Sequence, residues 1–188
     1  WAQPAIDLYR ELGFKVTIEV LSGASPTSGY DVAVIGENVS SINPGLAMFS
    51  HAPMPILVTK YHTVKPGGLN WGEKGKDTAD SVLTIIDDHE VLTGLPANEI
   101  KIVSGLDDND EALAWVLIPW NADLTVIAEH PAEGVDTMTL VAINEGTDVN
   151  GNVLENRAFI FALDGRGFPH FTEDGKLLLK NICYWLAG

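Results

Sequence analysis

Residues 55–62 have the sequence Pro-Ile-Leu-Val-Thr-Lys-Tyr-His, in which an apolar run ends at a polar cluster. A short continuous apolar run is typical of a strand that is buried on both faces of a sheet. In an α/β protein the carboxyl end of such a strand is where ligands bind and nucleophiles are mounted. Here Lys60, Tyr61 and His62 follow the run, without a cysteine or a Gly-x-Ser-x-Gly elbow. The familiar nucleophiles are therefore missing from this position.

The sequence on either side of this run predicts an α/β fold. The spacing of apolar residues predicts a helix over Pro4–Leu12, and their alternation predicts a strand over Phe14–Leu21. Residues 31–36, Asp-Val-Ala-Val-Ile-Gly, predict another strand buried on both faces, and Pro44–Ser50 predicts a weak helix. Further strands are predicted at Ser81–Ile86, Ile100–Ser104, Ala114–Ile118, Leu124–Glu129 and Thr139–Asn144.

The C-terminal part of the sequence carries a hairpin signal and a strong helix signal. Asn150-Gly151 is a turn dipeptide, and it predicts antiparallel pairing between Leu140–Ile143 and Ala158–Leu163. Thr172 is expected to cap a helix over Glu173–Ala187, which is apolar around most of its circumference and should be largely buried.

Composition limits the classes of partner. The chain of 188 residues is 46% hydrophobic, has 11 basic and 26 acidic residues, and carries a formal net charge of −15. This charge disfavours nucleic acid and membrane surfaces as partners. No apolar stretch is long enough to span a bilayer, so we expect one soluble domain over residues 1–188.

The acidity and the N-terminus suggest a context for the domain. An acidic surface suits a cation-rich or extracellular setting, so an extracellular or periplasmic location is weakly favoured. The sequence opens at Trp1 without a methionine and soon enters helical sequence, which favours a mature or excised segment of a longer protein with neighbouring domains. The single Cys183 lies in an apolar helical stretch and is expected to be buried and inert.

Polar residues after two predicted strands form the main candidate site. They are Glu37, Ser40 and Ser41 after one strand, and Lys60, Tyr61 and His62 after the next. Glu37 and His62 are the candidate catalytic pair, since a carboxylate beside an imidazole is suited to acid–base chemistry, and Lys60 is suited to an anionic substrate group. In the alternative interpretation Ser40 and Ser41 cap a turn, Glu37 pairs with Lys60, and His62 is an exposed loop residue.

A second polar group contains residue types that bind metal ions. It consists of Asp87, Asp88 and His89 together with Asp164, Arg166 and His170. No pair of histidines has a metal-ligand spacing, so no metal is predicted, and Asp87 or Asp88 is expected to cap a helical turn over residues 90–92.

The remaining ligand signals are few. Trp71, in a glycine-rich loop, is the best candidate for stacking on a sugar, ahead of Trp115 and Trp120. No phosphate-binding glycine motif is present, so no cofactor is predicted.

Four stretches of the chain carry a resemblance to a known family: Asp31–Glu37, Pro55–Thr59, Asp88–Leu95 and, most specifically, Arg157–Gly188. These stretches resemble the class I glutamine amidotransferase-like superfamily, and the nearest branch is the trehalose-utilisation, ThuA-like domains. The resemblance implies a flavodoxin-like three-layer sandwich, with a mostly parallel central sheet and an antiparallel hairpin in the C-terminal half. It also implies that His89, which matches the family residue for residue, caps a turn.

The departures from this family matter for function. Amidotransferases carry a cysteine after a central strand where this chain has Lys60 and Tyr61, so glutamine hydrolysis is disfavoured. ThuA-like sequences tend to have Gly-His after a late strand where this chain has Asp164-Gly165, so a histidine-based site is not carried over from them. Asp164 is counted among the candidate ligand-binding residues.

Three functions remain open from the sequence. The first is a non-catalytic or degenerate amidotransferase-like domain that binds a small molecule or carbohydrate, or another domain. The second is an enzyme acting on a sugar or polyol through Glu37 and His62, with the ligand held by Ser40, Lys60, Tyr61, Trp71 and Asp164. A third hypothesis makes the chain an oligomerisation unit.

Overall fold

The computed structural model describes residues 2–21, 28–78, 80–107, 111–119, 123–130 and 137–188. Two α-helices lie at the ends of this part of the chain, α1 over Ala2–Glu11 and α2 over Glu173–Ala187. The strands between them are β1 Ala33–Ile35, β2 Ile56–Lys60, β3 Glu73–Thr78, β4 Val82–Ile85, β5 Glu99–Lys101, β6 Leu113–Leu117, β7 Leu124–Glu129, β8 Met138–Ile143, β9 Asp148–Val149, β10 Asn152–Val153 and β11 Ala158–Leu163. Short 3₁₀ segments cover Pro44–His51, Tyr61–Val64, Glu90–Leu92 and Gly165–His170.

The central sheet is mixed, in the strand order β1-β2-β11-β6-β8-β7-β4-β5, with β3 paired to β6. Strands β1, β2 and β11 run parallel, and Ile56 of β2 lies in register with Ala33 on one side and Ala158 on the other. The continuous apolar run Ile56–Val58 is fully buried, as predicted for a central strand. Beyond β11 the pairs of this sheet are antiparallel, so antiparallel strands extend the sheet further than the sequence predicted.

The predicted antiparallel pairing in the C-terminal half is confirmed. Strands β8 and β11 pair with Ala158 opposite Ile143 and Phe161 opposite Leu140. Between them, Asn150 and Gly151 both have positive φ, 53° and 82°, which is the conformation that an Asn-Gly turn provides. This turn joins β9 and β10 in a separate two-stranded sheet.

Apolar clusters cover the two faces of the central sheet. The cluster on one face includes Leu8 and Tyr9 of α1 and much of α2, which Thr172 caps as predicted. The cluster on the other face includes Leu46 and Phe49 of the first 3₁₀ segment. Cys183 is buried in α2, as expected. In the part of the chain that the structure describes, neither α1 nor α2 has the length and apolar character to cross a membrane.

The strand predicted over Phe14–Leu21 is wrong. This segment has no regular secondary structure and belongs to no sheet among the described residues. Phe14 and Val16 pack against the cluster that contains α1 and α2, whereas Ile18 and Val20 are 66% and 90% exposed. The alternation of apolar residues is that of a strand, but the segment lacks a paired neighbour.

Candidate functional site

The sheet topology collects charged residues at one edge. The carboxyl ends of the parallel strands β1, β2 and β11 lie there, together with the amino end of β6 and the carboxyl end of β3, because Leu163, Leu113 and Thr78 are in register. We call this set of residues the polar edge: Glu37, Lys60, Tyr61, His62, Asp77, Glu111, Asp164 and Arg166. Most of its members lie at or just beyond the end of a strand, and Asp77 is the next-to-last residue of β3.

Arg166 is the hub of the polar edge. Its Nε donates a hydrogen bond to Oδ1 of Asp164 at 2.6 Å, and its Nη2 lies 3.4 Å from Oδ2 of Asp77 and also contacts the Glu111 carboxylate. The hydrogen bond that Arg166 donates to Asp164 above all, and then its contact with Glu111, raise the pKa of Arg166 above its ordinary value. One guanidinium therefore forms ion pairs with three carboxylates.

Local backbone structure holds this hub in place. Asp164 caps the 3₁₀ segment Gly165–His170, because its Oδ1 also accepts a hydrogen bond from the Arg166 backbone N–H at 3.0 Å. The backbone N–H of Asp164 donates to the carbonyl of Ala112 at 3.0 Å, next to Glu111. The carboxylate of Asp164 and the guanidinium of Arg166 are therefore positioned by the same turn.

Three carboxylates of the hub also have the spacing of metal ligands. Oxygen atoms of Asp77, Glu111 and Asp164 all lie within 4.8 Å of one another. The guanidinium of Arg166 already contacts each of these carboxylates, and a fixed cation among them competes with any metal ion. The geometry is that of an internal ion-pair network.

Glu37 and Lys60 form the second part of the polar edge. Lys60 Nζ donates to the Glu37 backbone carbonyl at 2.6 Å and lies 3.7 Å from Oε2 of the same residue, and the two side chains are only 15–16% exposed. Burial raises the pKa of Glu37, and the charge of Lys60 opposes this shift. The predicted alternative in which Glu37 pairs with Lys60 is confirmed.

The Glu37 side chain lies directly on Gly165. A methyl group at Gly165 would overlap Cγ of Glu37, and Cδ and Cβ of Glu37 are close as well. Glycine at position 165 therefore lets Glu37 fold back over the turn that carries Arg166.

Gly165→Ala is expected to lower the free energy of unfolding by about 1–3 kcal/mol, because the added methyl group overlaps Cγ of Glu37 and forces that side chain to move. Gly36→Ala is the matched control, since the methyl group would meet only Thr59 at van der Waals distance. Chemical denaturation measures both variants. Combining Gly165→Ala with Glu37→Ala should recover most of the loss, and an equal loss in the double variant would contradict this packing.

Tyr61 and His62 complete the polar edge. Tyr61 is buried and its ring centroid lies 3.9 Å from that of His62. Burial, followed by the charge of Asp77 and a hydrogen bond with it, raises the pKa of Tyr61, so the phenol stays protonated. Burial and nearby Lys74 lower the pKa of His62, so its imidazole is neutral near pH 7.

The candidate pair Glu37 and His62 lies at the same edge but is not directly coupled. Across the described residues, no hydrogen bond or ion pair joins the two side chains, and Glu37 contacts Lys60 instead. Ser40 is exposed in the turn after β1, where its carbonyl accepts from the Asn43 N–H at 3.0 Å.

The interpretation of Trp71 as a stacking residue is wrong. Its side chain is 0% exposed and packs in the cluster on the face opposite α1 and α2. Its Nε1 donates to Oγ of Ser50 at 3.2 Å, so its polar atom is used inside the protein. Stacking on a sugar requires accessible aromatic surface, and the buried ring of Trp71 offers none.

The second predicted polar group is divided between two edges of the sheet. Asp164 and Arg166 belong to the polar edge, whereas His89 lies beside Trp185 of α2, with ring centroids 5.3 Å apart. His89, rather than Asp87 or Asp88, caps the segment Glu90–Leu92, because its Nδ1 accepts from the Val91 N–H at 3.3 Å.

Two shallow pockets lie near His89, away from the polar edge. One, of 470 Å³, is lined by Asp88, His89, Glu90, Leu92 and Thr93. The other, of 300 Å³, includes Arg157, Tyr184 and Trp185 among its lining residues. Arg157 sits just before the amino end of β11, so these pockets are at the opposite edge from Asp164.

Sequence reasoning missed Asp77 and Glu111. Asp77 lies in β3, a strand that was not predicted, and Glu111 directly follows residues 108–110, which lie outside the described part of the chain. Glu111 lies three positions before the predicted strand Ala114–Ile118, and this position was a signal in the sequence. To place Glu111 at the polar edge, however, one must also know that the strand pairs antiparallel with β11.

Comparison with known proteins gives a fold but no family. No family model matches the chain, and no curated protein sequence matches it. One similar solved structure is that of the cytoplasmic protein STM3548 from Salmonella typhimurium, with a TM-score of 0.55 and 12% sequence identity. The similarity covers 98% of this chain and 86% of that one. At this identity the likeness supports the mixed α/β fold alone.

The comparison also corrects the expected location. An extracellular or periplasmic setting was favoured from the acidic composition, and the similar structure is that of a protein described as cytoplasmic. The expectation was wrong because a net charge of −15 records only a solvated acidic surface, which is compatible with many compartments.

Proposed function

We propose that this chain is a non-catalytic, amidotransferase-like domain of the ThuA-like branch that serves as a ligand-binding or interaction module. The observation that carries the proposal is that the charged side chains of the polar edge pair with one another, which we call its closure. Arg166 serves three carboxylates, Lys60 holds Glu37, and Glu37 covers Gly165. A catalytic site keeps such groups available to a substrate.

The single cysteine supports the absence of amidotransferase chemistry. A nucleophilic cysteine must be accessible and must form the thiolate readily. Cys183 is instead buried within α2, and this burial raises the pKa of its thiol to about 12. The carboxyl end of β2, where an amidotransferase nucleophile is expected, holds Lys60 as the last residue of the strand and Tyr61 directly after it.

Further features support a binding role and the finer assignment of the fold. The 300 Å³ pocket beside Arg157, Tyr184 and Trp185 is open to a small ligand. A flavodoxin-like three-layer arrangement is supported by the two helices on one face of the sheet and the 3₁₀ segment Pro44–His51 on the other. A carbohydrate-related role and neighbouring domains rest on the resemblance of Arg157–Gly188 to ThuA-like sequences.

A sugar- or polyol-processing enzyme is the second candidate. It is favoured by the raised pKa of Glu37, since general acid catalysis uses a carboxyl group whose pKa lies above its ordinary value. His62, with its lowered pKa, would then be the general base at the same edge.

The paired substitution Glu37→Gln with His62→Gln distinguishes the two candidates. Ammonia release from glutamine and product formation from trehalose and sorbitol are measured by NMR for the unchanged chain and the double variant. The non-catalytic proposal expects no turnover by either protein. Turnover that falls by at least about 100-fold in the double variant would establish the enzyme instead.

His51→Gln with Glu155→Gln is the matched control for this experiment. His51 Nδ1 and Glu155 Oε1 form another histidine–glutamate pair, 2.9 Å apart, but both side chains are about 60% exposed. The control therefore makes the same chemical changes at an open surface. Any turnover lost equally in the control and the test variant would reflect general damage.

A further inference from the structure

We propose that Lys65, Lys74 and the imidazole of His62 form a binding site for a single phosphate group, either free or carried by a small molecule. This inference rests on the proposed binding role and names the class of ligand. The first observation is the distribution of charge along the chain. Residues 60–76 contain four of its 11 basic residues and one of its 26 acidic residues, although the net charge of the protein is −15.

Backbone hydrogen bonds bring Lys65 and Lys74 together. The carbonyl of Val64, which ends the 3₁₀ segment that carries His62, accepts a hydrogen bond from the N–H of Gly72 at 3.1 Å. Lys65 directly follows Val64, and β3 begins directly after Gly72. The 3₁₀ segment therefore packs against β3, which carries Lys74 as its second residue.

His62 is fixed between the two ends of this contact. At the far end, the buried Tyr61 forms a hydrogen bond with Asp77 of β3, and the ring centroids of Tyr61 and His62 lie 3.9 Å apart. His62 itself is half-buried, and within the described part of the chain its ring has no hydrogen-bond or ion-pair partner. The imidazole is therefore held in place and is available to a ligand.

The two lysines carry charges that the protein leaves unpaired. Among the residues that the structure describes, neither Lys65 nor Lys74 forms an ion pair, whereas Lys60 is paired with a carboxylate of the polar edge. Burial is the main cause of the lowered pKa of His62, and the nearby charge of Lys74 adds to it. Smaller contributions from Lys60 and Lys65 act in the same direction, against that of Asp77.

The carboxylates of the polar edge do not cancel this positive charge, because Arg166 pairs with them. Its Nη2 lies 3.4 Å from Oδ2 of Asp77 and also contacts Glu111. The groups left over are two lysine ammonium groups and an imidazole, which suit the several acceptor oxygens of a phosphate. The net charge of −15 repels polyanions, which extend beyond this local surface, so a single phosphate group suits it better than nucleic acid.

Protection of an edge strand is the competing explanation for these lysines. Strand β3 pairs with β6 alone among the described strands, and lysines on such an edge discourage pairing with another chain. Lys101, on the edge strand β5, and Lys15 are also exposed and form no ion pair within the described residues. Lys15→Gln with Lys101→Gln therefore removes the same charge at other positions on the surface and is the matched control.

Isothermal titration calorimetry tests the site with inorganic phosphate and with glucose 6-phosphate, and glucose is the uncharged control. We expect at least one of the two anions to bind with a Kd below about 1 mM, and glucose not to bind. Lys65→Gln with Lys74→Gln should weaken binding by at least about 10-fold, since each substitution removes a charge next to the phosphate. The control variant should change the affinity by less than about 2-fold.

The two anions distinguish the sources of the phosphate group. Tighter binding of glucose 6-phosphate would identify a phosphorylated small molecule, and tighter binding of inorganic phosphate would identify the free ion. No binding of either anion, or equal weakening in the test and control variants, would overturn the proposal.

The imidazole resonances of His62 give a second measurement, made on the unchanged chain. Sulfate is a dianion of the same shape as phosphate, and it stays fully charged while histidine titrates. A dianion beside His62 favours the imidazolium, so sulfate should raise the pKa of His62 from its lowered value. The resonances of the exposed His51 are the internal reference. A His62 titration that sulfate does not move would overturn the proposal.

Phosphorus NMR of the glucose 6-phosphate samples separates this inference from the non-catalytic proposal. Binding without release of phosphate agrees with both. Phosphate release that is lost in the Lys65→Gln with Lys74→Gln variant would confirm the site and overturn the non-catalytic role. Absence of binding together with absence of turnover would overturn the site alone.

Discussion

Trp71→Ala is expected to lower the free energy of unfolding by about 3–5 kcal/mol, the range for truncating a large aromatic side chain in a core. Trp71 is fully buried, and Ser50 accepts its indole N–H. For a chain of 188 residues this loss corresponds to a fall of roughly 6–20 °C in melting temperature. Thermal and urea denaturation monitored by circular dichroism measure the change.

Trp71→Phe separates packing from hydrogen bonding at this position. Phenylalanine keeps most of the apolar volume and removes the bond to Ser50, so the expected loss is about 1 kcal/mol plus a smaller cavity cost. A stable Trp71→Ala variant that had lost affinity for trehalose would instead show that Trp71 is a ligand contact, against its burial in the structure.

The error over Trp71 has a physical origin in its flanking glycines. Glycines at 67, 68 and 72 suggested an open loop. In the structure, a side chain at Gly68 would overlap the backbone carbonyls of Thr63 and Ser41, and one at Gly72 would overlap the carbonyl of Leu117. These glycines allow close backbone approach, which brings Trp71 into the core. Sequence alone does not distinguish this use of glycine from flexibility.

Strands with a continuous apolar run were predictable, and the pairing of weaker ones was not. Ile56–Lys60 and Ala158–Leu163 are buried whichever neighbour they have, so composition predicts them. Strand β3, Glu73–Thr78, has mostly polar residues, and its pairing with β6 determines its conformation. Phe14–Leu21 shows the converse, since its alternation predicts a strand although no described neighbour pairs with it.

The candidate site was predictable only where it follows parallel strands. Glu37 and Lys60 were found because the carboxyl ends of parallel strands share one edge. Asp77 and Glu111 reach that edge from antiparallel strands, so their approach to Arg166 depends on the order and direction of β3 and β6. A single sequence does not fix that order.

Arg166→Met is expected to lower the free energy of unfolding by about 2–4 kcal/mol. The substitution replaces the arginine with an unbranched apolar side chain and removes the charge that forms ion pairs with Asp77, Glu111 and Asp164. Breaking a fully buried ion pair costs about 3–5 kcal/mol, and the partial exposure of these side chains, 17–37%, reduces that cost. Urea denaturation measures the difference.

The origin of this loss can be separated from lost packing by two comparisons. Arg10→Met removes a guanidinium whose ion pair with Asp7, at 3.8 Å, is more than half exposed, so it should cost no more than about 0.5 kcal/mol. Adding Asp77→Asn and Glu111→Gln to Arg166→Met leaves a single carboxylate in the cluster, and at least half of the loss should then be recovered.

Salt provides the decisive test of the role of Arg166. Ions shorten the screening distance from about 10 Å at 0.1 M to about 3 Å at 1 M, so repulsion among carboxylates within 4.8 Å of one another weakens as salt is added. If Arg166 neutralises the polar edge, the gap in melting temperature between the unchanged chain and Arg166→Met narrows from 0.1 to 1 M NaCl. A gap that stays constant, with no recovery in the triple variant, would mean that Arg166 stabilises this edge through the packing of its side chain. The polar edge would then contain three tolerated carboxylates, and its closure by charge, on which the non-catalytic proposal depends, would lose its main support.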